Sequence, residues 1–217
     1  QRQMCIRDRL GLKDILLRRA SDPVAEVANK VTLCLAKAIE ADRDFGHQLA
    51  LRLHEREETL VRRAMADVLT RLFRRLTWDA LPLLDDMLTS DDEGVLAAAS
   101  ATVGDVKYLD KEQWADRLRQ LADHSLAIVR RNLVPNLREY IEFDPADSRG
   151  LFHQLWKDGD EVVRTRLREL MLRMEEVAPD RFAAQVKALH EVQADLGPLW
   201  EPLALRRAER SRAWQAW

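Results

Sequence analysis

Glycine, proline and cysteine are scarce in this 217-residue sequence, which holds seven glycines, seven prolines and two cysteines. β-Sandwiches and barrels need many turns. The small number of turn residues therefore argues against both classes and favours helices. Cys5 and Cys34 cannot form a disulfide framework, and a reducing compartment, the cytoplasm, is therefore the expected location. No apolar run reaches the roughly 18–20 residues of a membrane span, so we expect no membrane partner.

Charged residues are abundant and nearly balanced, with 35 Lys and Arg against 37 Asp and Glu and a formal net charge of -2. With 47% hydrophobic residues, the chain is too apolar for intrinsic disorder. The small net charge argues against nucleic-acid binding over the whole surface, but it is compatible with a local basic stripe. Arginine supplies 28 of the 35 cations, which fits either a phosphate-binding surface or a GC-rich genome.

The first nine residues, QRQMCIRDR, differ from the rest of the chain. They lack the apolar segment of a signal peptide and the acid-poor amphipathic pattern of a transit peptide. The segment resembles translated sequencing-adapter DNA, which would make residues 1–9 a tail foreign to the protein and place the native start further upstream. An ordinary charged tail is the alternative. No functional role is assigned to this segment or to Cys5.

Apolar residues recur every 34 residues, at Val27, Val61, Val95, Val129 and Val163. The positions four and eight residues after each of these valines are apolar in every copy, which is the spacing of one helix face. An earlier apolar pair in each unit keeps the same period: Ala50 with Leu53, Leu84 with Met87, Leu118 with Leu121, Phe152 with Leu155, and Val186 with Leu189. Each unit is therefore predicted to hold two amphipathic helices in an all-α repeat array.

Short polar turns separate the predicted helices. Asp110 and Gln113 have the spacing of a capping box, and Pro179 suits a first helical position. Acidic pairs such as Asp91-Asp92 precede the second helix of a unit, where carboxylates meet the positive end of the helix dipole. We interpret these pairs as helix caps rather than as metal ligands or catalytic dyads.

In several units the acidic turn is followed by Val and then Arg: Glu57 to Val61-Arg62, Asp123 to Val129-Arg130, and Asp158 to Val163-Arg164. No unit carries the Trp, Leu-Gly and Tyr series of a tetratricopeptide repeat. The pattern resembles the HEAT repeat, in which a turn Asp and an Arg starting the second helix form a ladder along the stack. This resemblance implies an α-solenoid of about five antiparallel helix pairs. The ladder residues that it implies are Asp22, Arg62, Arg130, Asp158 and Arg164.

The period breaks near the C-terminus, where its next position falls on Gly197, beside two prolines. We therefore expect the repeat array over residues 10–196, and an irregular capping helix or truncated continuation over residues 197–217. The first helix is expected to be short, Leu10 to Arg18, and the last to begin at Leu203. Because neither end shows the polar outer face of a terminal repeat, we expect a segment of a longer array.

No catalytic, metal or cofactor motif is evident in the sequence. The five histidines lack the spacing of a helical zinc protease, and the glycines form neither a phosphate loop nor a nucleophile elbow. Cys34 falls beside the apolar stripe of its helix, so we expect a buried, inert thiol. The sequence thus predicts no catalytic residue, metal, cofactor or small-molecule substrate, and binding is the expected role.

The HEAT resemblance implies that the second helix of each unit lines the concave side of the stack. The predicted binding residues there are a broken basic stripe, Arg63, Arg71, Arg131, Arg138 and Arg166, around a small-residue centre, Ala97, Ala98 and Ala101. Such a stripe fits an acidic peptide of a protein partner, or a nucleic-acid backbone. The opposing interpretation is that these arginines pair with acids on their own helices, Asp67, Asp105, Glu139 and Glu169.

Two further hypotheses concern the same face. Pro135 falls inside a second helix, and we expect it to bend the helix and widen the concave surface locally. HEAT-like alkylpurine DNA glycosylases hold damaged DNA in a cationic concave groove, and they are the alternative to an interaction scaffold. The likeness is limited to fold type and arginine content, because Trp78, Trp114 and Trp156 fall on the first helices. A non-catalytic scaffold with a protein or peptide partner is the favoured interpretation.

Overall fold

The computed structural model describes the backbone of residues 2–215 and the side chains of residues 11–212. Helices and the turns between them account for this whole range, which contains no strand. In chain order the α-helices are α1 (Arg2–Ala20), α2 (Ala25–Thr32), α3 (Leu35–Ala41), α4 (Arg43–His54), α5 (Thr59–Leu76), α6 (Leu81–Met87), α7 (Glu93–Thr102), α8 (Lys111–Ala122), α9 (Ala127–Leu133), α10 (Leu137–Phe143), α11 (Pro145–Trp156), α12 (Glu161–Val177), α13 (Pro179–Glu191) and α14 (Gly197–Gln215). None of these helices is long and apolar enough to cross a lipid bilayer.

The chain divides into two compact units, Gln1–Trp114 and Ala115–Trp217. In the first unit, α1, α4 and α6 are the first helices of successive repeats, and α2 with α3, α5, and α7 are the second helices. In the second unit, α8, α11 and α13 are first helices, while α9 with α10, α12, and α14 take the second-helix positions. First and second helices therefore alternate at the predicted period, and the chain is built from repeated helix pairs.

The repeated apolar positions form the core of each unit. Of the fifteen predicted positions on second helices, only Val27 is not fully buried. All the paired positions on first helices are also buried, apart from the half-buried Val186. Burying one such large apolar side chain contributes about 2 kcal/mol, so the repeated positions make a substantial contribution to stability. The periodicity therefore predicts the core of the protein correctly.

The second helices differ in continuity. The helices α5 and α12 run unbroken for 18 and 17 residues. The second helix of the first repeat breaks at Leu33–Cys34, and those of the third and fourth repeats pass into 3₁₀ turns at Val103–Tyr108 and Val134–Asn136. The last break confirms that Pro135, which has no N–H to donate to the helix ladder, interrupts its helix, and the widening of the surface stays a prediction.

Three local predictions differ from the structure. Cys34 is exposed rather than buried, because the helix break places it at the N-cap of α3. The helix α1 begins at Arg2 instead of Leu10, since no glycine or proline interrupts residues 2–9. The helix α14 begins at Gly197 instead of Leu203, because Pro198 stands in the first turn, where its missing N–H costs no hydrogen bond. Pro179 begins α13 as predicted.

Candidate binding face

The candidate site is the second-helix face, defined in each unit as the exposed side chains of its second helices. In the first unit the predicted residues lie on the neighbouring helices α5 and α7: Arg63, Arg71, Ala97, Ala98 and Ala101. In the second unit they lie on α9, α10 and α12: Arg131, Arg138 and Arg166. Each unit therefore groups its own share of the predicted stripe on adjacent elements.

Arg63 is held by the helix cap of the next repeat. Its Nε and Nη2 donate to the two carboxylate oxygens of Asp92 at 2.9 and 2.8 Å. Asp92 Oδ1 also accepts the N–H of Val95 at 3.0 Å, so the same carboxylate caps α7 and links it to α5. This role confirms the prediction that the acidic turn contains a helix cap.

Arg131 makes the same contact in the second unit. Its Nε and Nη2 donate to the carboxylate of Asp160 at 3.1 and 2.7 Å. Asp160 Oδ1 accepts the N–H of Val163 at 3.0 Å and caps α12. We call the Arg63–Asp92 and Arg131–Asp160 pairs the cap rungs. Both arginines were predicted as part of the binding stripe, and the rungs were not predicted; their signal in the sequence is an Asp 29 residues after the Arg.

One contact of the predicted ladder links successive turns in the second unit. Arg130 donates to both carboxylate oxygens of Asp158 at 2.6 and 2.8 Å, and to the carbonyls of His124 and Ser125 at 2.6 and 2.8 Å. Asp158 is only 8% exposed. The guanidinium therefore joins the turn before its own helix to the turn of the next repeat. The other predicted ladder residues have different partners: Arg164 contacts the Asp158 carbonyl and Glu161, Arg62 pairs with Asp86 on α6, and Asp22 pairs with Arg19.

The three carboxylates of these contacts ionise more readily than usual. Arg63, followed by the Val95 N–H, lowers the pKa of Asp92, and Arg130 lowers the pKa of Asp158. Arg131, followed by the Val163 N–H, lowers the pKa of Asp160 to about 2. Each carboxylate therefore favours the folded state while it is charged, above its ordinary pKa of about 3.9.

Acid should weaken the fold through these same groups. Because their pKa values are lower in the folded chain, their stabilising contribution is present above the ordinary carboxyl pKa of about 3.9 and is lost as the pH falls through the lower folded-state pKa of each group, which for Asp160 is about 2. We expect the urea midpoint of unfolding to drop over this range, and Asp160→Asn to make the drop smaller. The exposed Asp180 forms no ion pair among the described residues, so Asp180→Asn is the control. An Asp160→Asn profile with the same drop as the parent chain would contradict this assignment.

Other cations on the second helices have no carboxylate partner among the described residues. In the first unit these are Lys30, Lys37 and Arg71, and in the second unit they are Arg138, Arg166, Arg173 and Arg212. Arg166 donates only to the Arg131 carbonyl, at 3.3 Å. Of the acids proposed as opposing partners, Asp105 pairs with Arg74 at 3.4 Å, and this pair joins two elements rather than one helix. The second-helix face thus keeps a set of uncommitted cations.

Chemistry at this face is sparse in the described residues. No group of three or more His, Cys, Asp or Glu side chains there is arranged to hold a metal ion. Trp114 and Trp156 are buried, and the Trp156 indole donates to the Asp195 carbonyl at 2.9 Å. Trp78 is exposed in the 3₁₀ turn before α6, on the first-helix side of its repeat. None of these three indoles therefore forms an aromatic platform beside the second-helix cations.

Three solved structures of similar fold are engineered or designed proteins. No family model matches the chain, and no curated protein does. An engineered protein solved by the Northeast Structural Genomics Consortium covers 93% of this chain and 96% of its own, with a TM-score of 0.56 and 16% identity. A designed armadillo repeat protein covers 87% of this chain and 90% of its own, with a TM-score of 0.56 and 16% identity. A second engineered protein from the same consortium covers 88% of this chain and 95% of its own, with a TM-score of 0.55 and 15% identity. The chain thus has the fold of an α-solenoid of repeated helices.

Proposed function

We propose that this chain is a non-catalytic interaction scaffold that binds a protein or peptide partner on its second-helix face. The observation that carries the proposal is the set of exposed second-helix cations, such as Arg71 and Arg138, that have no carboxylate partner among the described residues. Ion pairs account for many of the other arginines, including Arg63 and Arg131. Exposed charge that the fold does not use is available to a partner, where it steers association and selects a complementary surface.

The proposal also assigns roles to the remaining predicted residues. Ala97 and Ala98 are half-buried and Ala101 is exposed on α7, so they would form a low floor between longer side chains. We further propose that the repeats are of HEAT type, over residues 10–196, and the Arg130–Asp158 contact between successive turns supports this. No observation supports the DNA glycosylase alternative.

Photo-crosslinking tests the proposed face. Benzoylphenylalanine placed at Ala101 or Arg138 on second helices, and at Glu112 or Arg149 on first helices, would be irradiated in extract of the source cell. We expect the second-helix positions to capture one protein that the first-helix positions do not capture. Capture at first-helix positions alone, or at none, would contradict the proposal.

The captured protein, once purified, allows a matched measurement. Arg71→Glu with Arg138→Glu should weaken its binding by about tenfold or more, because like charges are brought together at the contact. Arg149→Glu reverses one charge on an exposed first-helix side chain that has no ion pair among the described residues, and it should change affinity less than about twofold. Titration calorimetry measures both. A duplex DNA whose binding weakens steeply with salt would instead identify a nucleic-acid partner.

A further inference from the structure

The helix α12 carries cations and apolar residues in alternation along one face. Val162, Arg166, Leu170, Arg173 and Val177 follow one another at intervals of four, four, three and four residues, which keeps them on a single stripe. The outer two are exposed, Val177 to 61% and Val162 to 43%, and Leu170 is half-buried. We call these five residues the α12 stripe.

The acids around the α12 stripe are mostly engaged elsewhere. Glu161 binds Arg164 and Arg168. Glu175 binds Arg207 and Arg210 of α14, and Glu176 binds Arg206 of α14. Only Glu169 is exposed beside the stripe without an ion pair among the described residues. The two stripe arginines therefore dominate the local charge.

The first unit repeats part of this pattern. The chain places Lys30 near the end of α2, Leu33 in the break between the two helices and Lys37 in α3, so a cation, an apolar residue and a cation follow one another at intervals of three and four residues. Leu33 is 70% exposed, and both lysines lack a carboxylate partner among the described residues. Two second helices in separate units thus present an apolar residue between two uncommitted cations.

This alternation specifies the partner. Arg166 and Arg173 are seven residues apart, which is about 10 Å along a helix. A partner helix lying along α12 repeats with the same rise, so acids seven residues apart on it would meet both arginines, and an apolar residue between them would meet Leu170. A phosphate backbone offers no counterpart to the exposed apolar side chains. Resting on the proposed function, we infer that the α12 stripe binds an acidic amphipathic helix of a protein partner.

Fluorescence anisotropy with the whole chain and a defined peptide tests this inference. The probe is a labelled peptide of about 22 residues, with Glu at every seventh position, Leu midway between them, and Ala and Gln elsewhere. We expect saturable binding below about 100 μM. Arg166→Glu with Arg173→Glu should weaken binding by about tenfold or more, and Val177→Ser by about threefold.

Matched controls come from the same unit. Arg149→Glu changes an exposed cation of α11, and Val192→Ser changes a valine that is 42% exposed after α13. Neither lies on α12, so each should alter the peptide affinity less than about twofold. Circular dichroism of every variant verifies that the helix content is retained.

Three results would overturn the inference: no saturation below about 1 mM, equal binding of a peptide with Lys in place of Glu, or binding of duplex DNA without binding of the peptide. Failure here is distinguishable from failure of the proposed function. Crosslinking confined to second-helix positions, together with no peptide binding, would remove the acidic helix and retain the scaffold. Absence of crosslinking at the second-helix positions would remove the scaffold itself.

Discussion

Gly46→Ala is expected to lower the free energy of unfolding by about 2 kcal/mol or more, although alanine is the better helix former. Gly46 is buried in α4 and packs against α3. A Cβ at this position would lie 2.5 Å from the Ile39 Cα and 2.6 Å from the Ile39 backbone N. These are backbone atoms, so the two helices would have to move apart, at a cost of about 3 kcal/mol. The gain in helix propensity is only about 1 kcal/mol.

Gly150→Ala is the control for this prediction. Gly150 is exposed in α11, and a Cβ there would meet no heavy atom within 4 Å. Only the propensity term remains, so this variant should gain about 0.5–1 kcal/mol. Urea unfolding followed by circular dichroism measures both. Two variants that shift stability in the same direction would refute the close approach of α3 and α4.

Asp158→Ala should cost about 3 kcal/mol. The substitution leaves the Arg130 guanidinium, whose side chain is 17% exposed, without its carboxylate partner. It also removes the acceptor of the Asp160 N–H, which lies 2.8 Å from Asp158 Oδ1. Removing one member of a largely buried ion pair is costly because the remaining charge is poorly solvated.

The comparison variants separate burial from charge. Glu161→Ala removes an acid whose side chain is 61% exposed, so it should lower the urea midpoint of unfolding much less than Asp158→Ala does, despite the two arginine partners of Glu161. Arg130→Met keeps much of the side-chain volume, and combining it with Asp158→Ala should cost less than the sum of the single changes. Equal losses for Asp158→Ala and Glu161→Ala would count against the buried contact.

Sequence periodicity predicts the helix pairs because the buried positions recur at the same 34-residue interval as the apolar residues. Four of the five valines at the 34-residue period, all but Val27, lie in the core, where one residue type satisfies the same environment in each copy. The helix break at Pro135 can be predicted from the sequence, because proline has no backbone N–H to donate to the helix. The break at Leu33–Cys34 has no such residue, and the close approach at Gly46 depends on a neighbouring helix. Neither the break at Leu33–Cys34 nor the close approach at Gly46 can be predicted from the apolar pattern of one helix.

The candidate site was harder to predict for a related reason. Helical spacing identifies Arg63 and Arg131 as exposed positions. The only ion-pair partners that it can suggest for them are acids three or four residues away on the same helix. Their partners, Asp92 and Asp160, lie in the next repeat and come close only when the repeats stack. Arg71 and Arg138 were placed by the same reasoning, and the stack brings no carboxylate to them among the described residues.

The cap rungs define a longer module than one helix pair. Arg131 follows Arg63, and Asp160 follows Asp92, by twice the 34-residue period, whereas Ala97 and Leu126 occupy the corresponding Arg and Asp positions between them. Deleting one repeat between the rungs would bring Arg63 into register with Leu126, but deleting two would bring it into register with Asp160. The capping chemistry therefore depends on a spacing of two repeats, and removing a single repeat would replace the acid of the rung with a leucine.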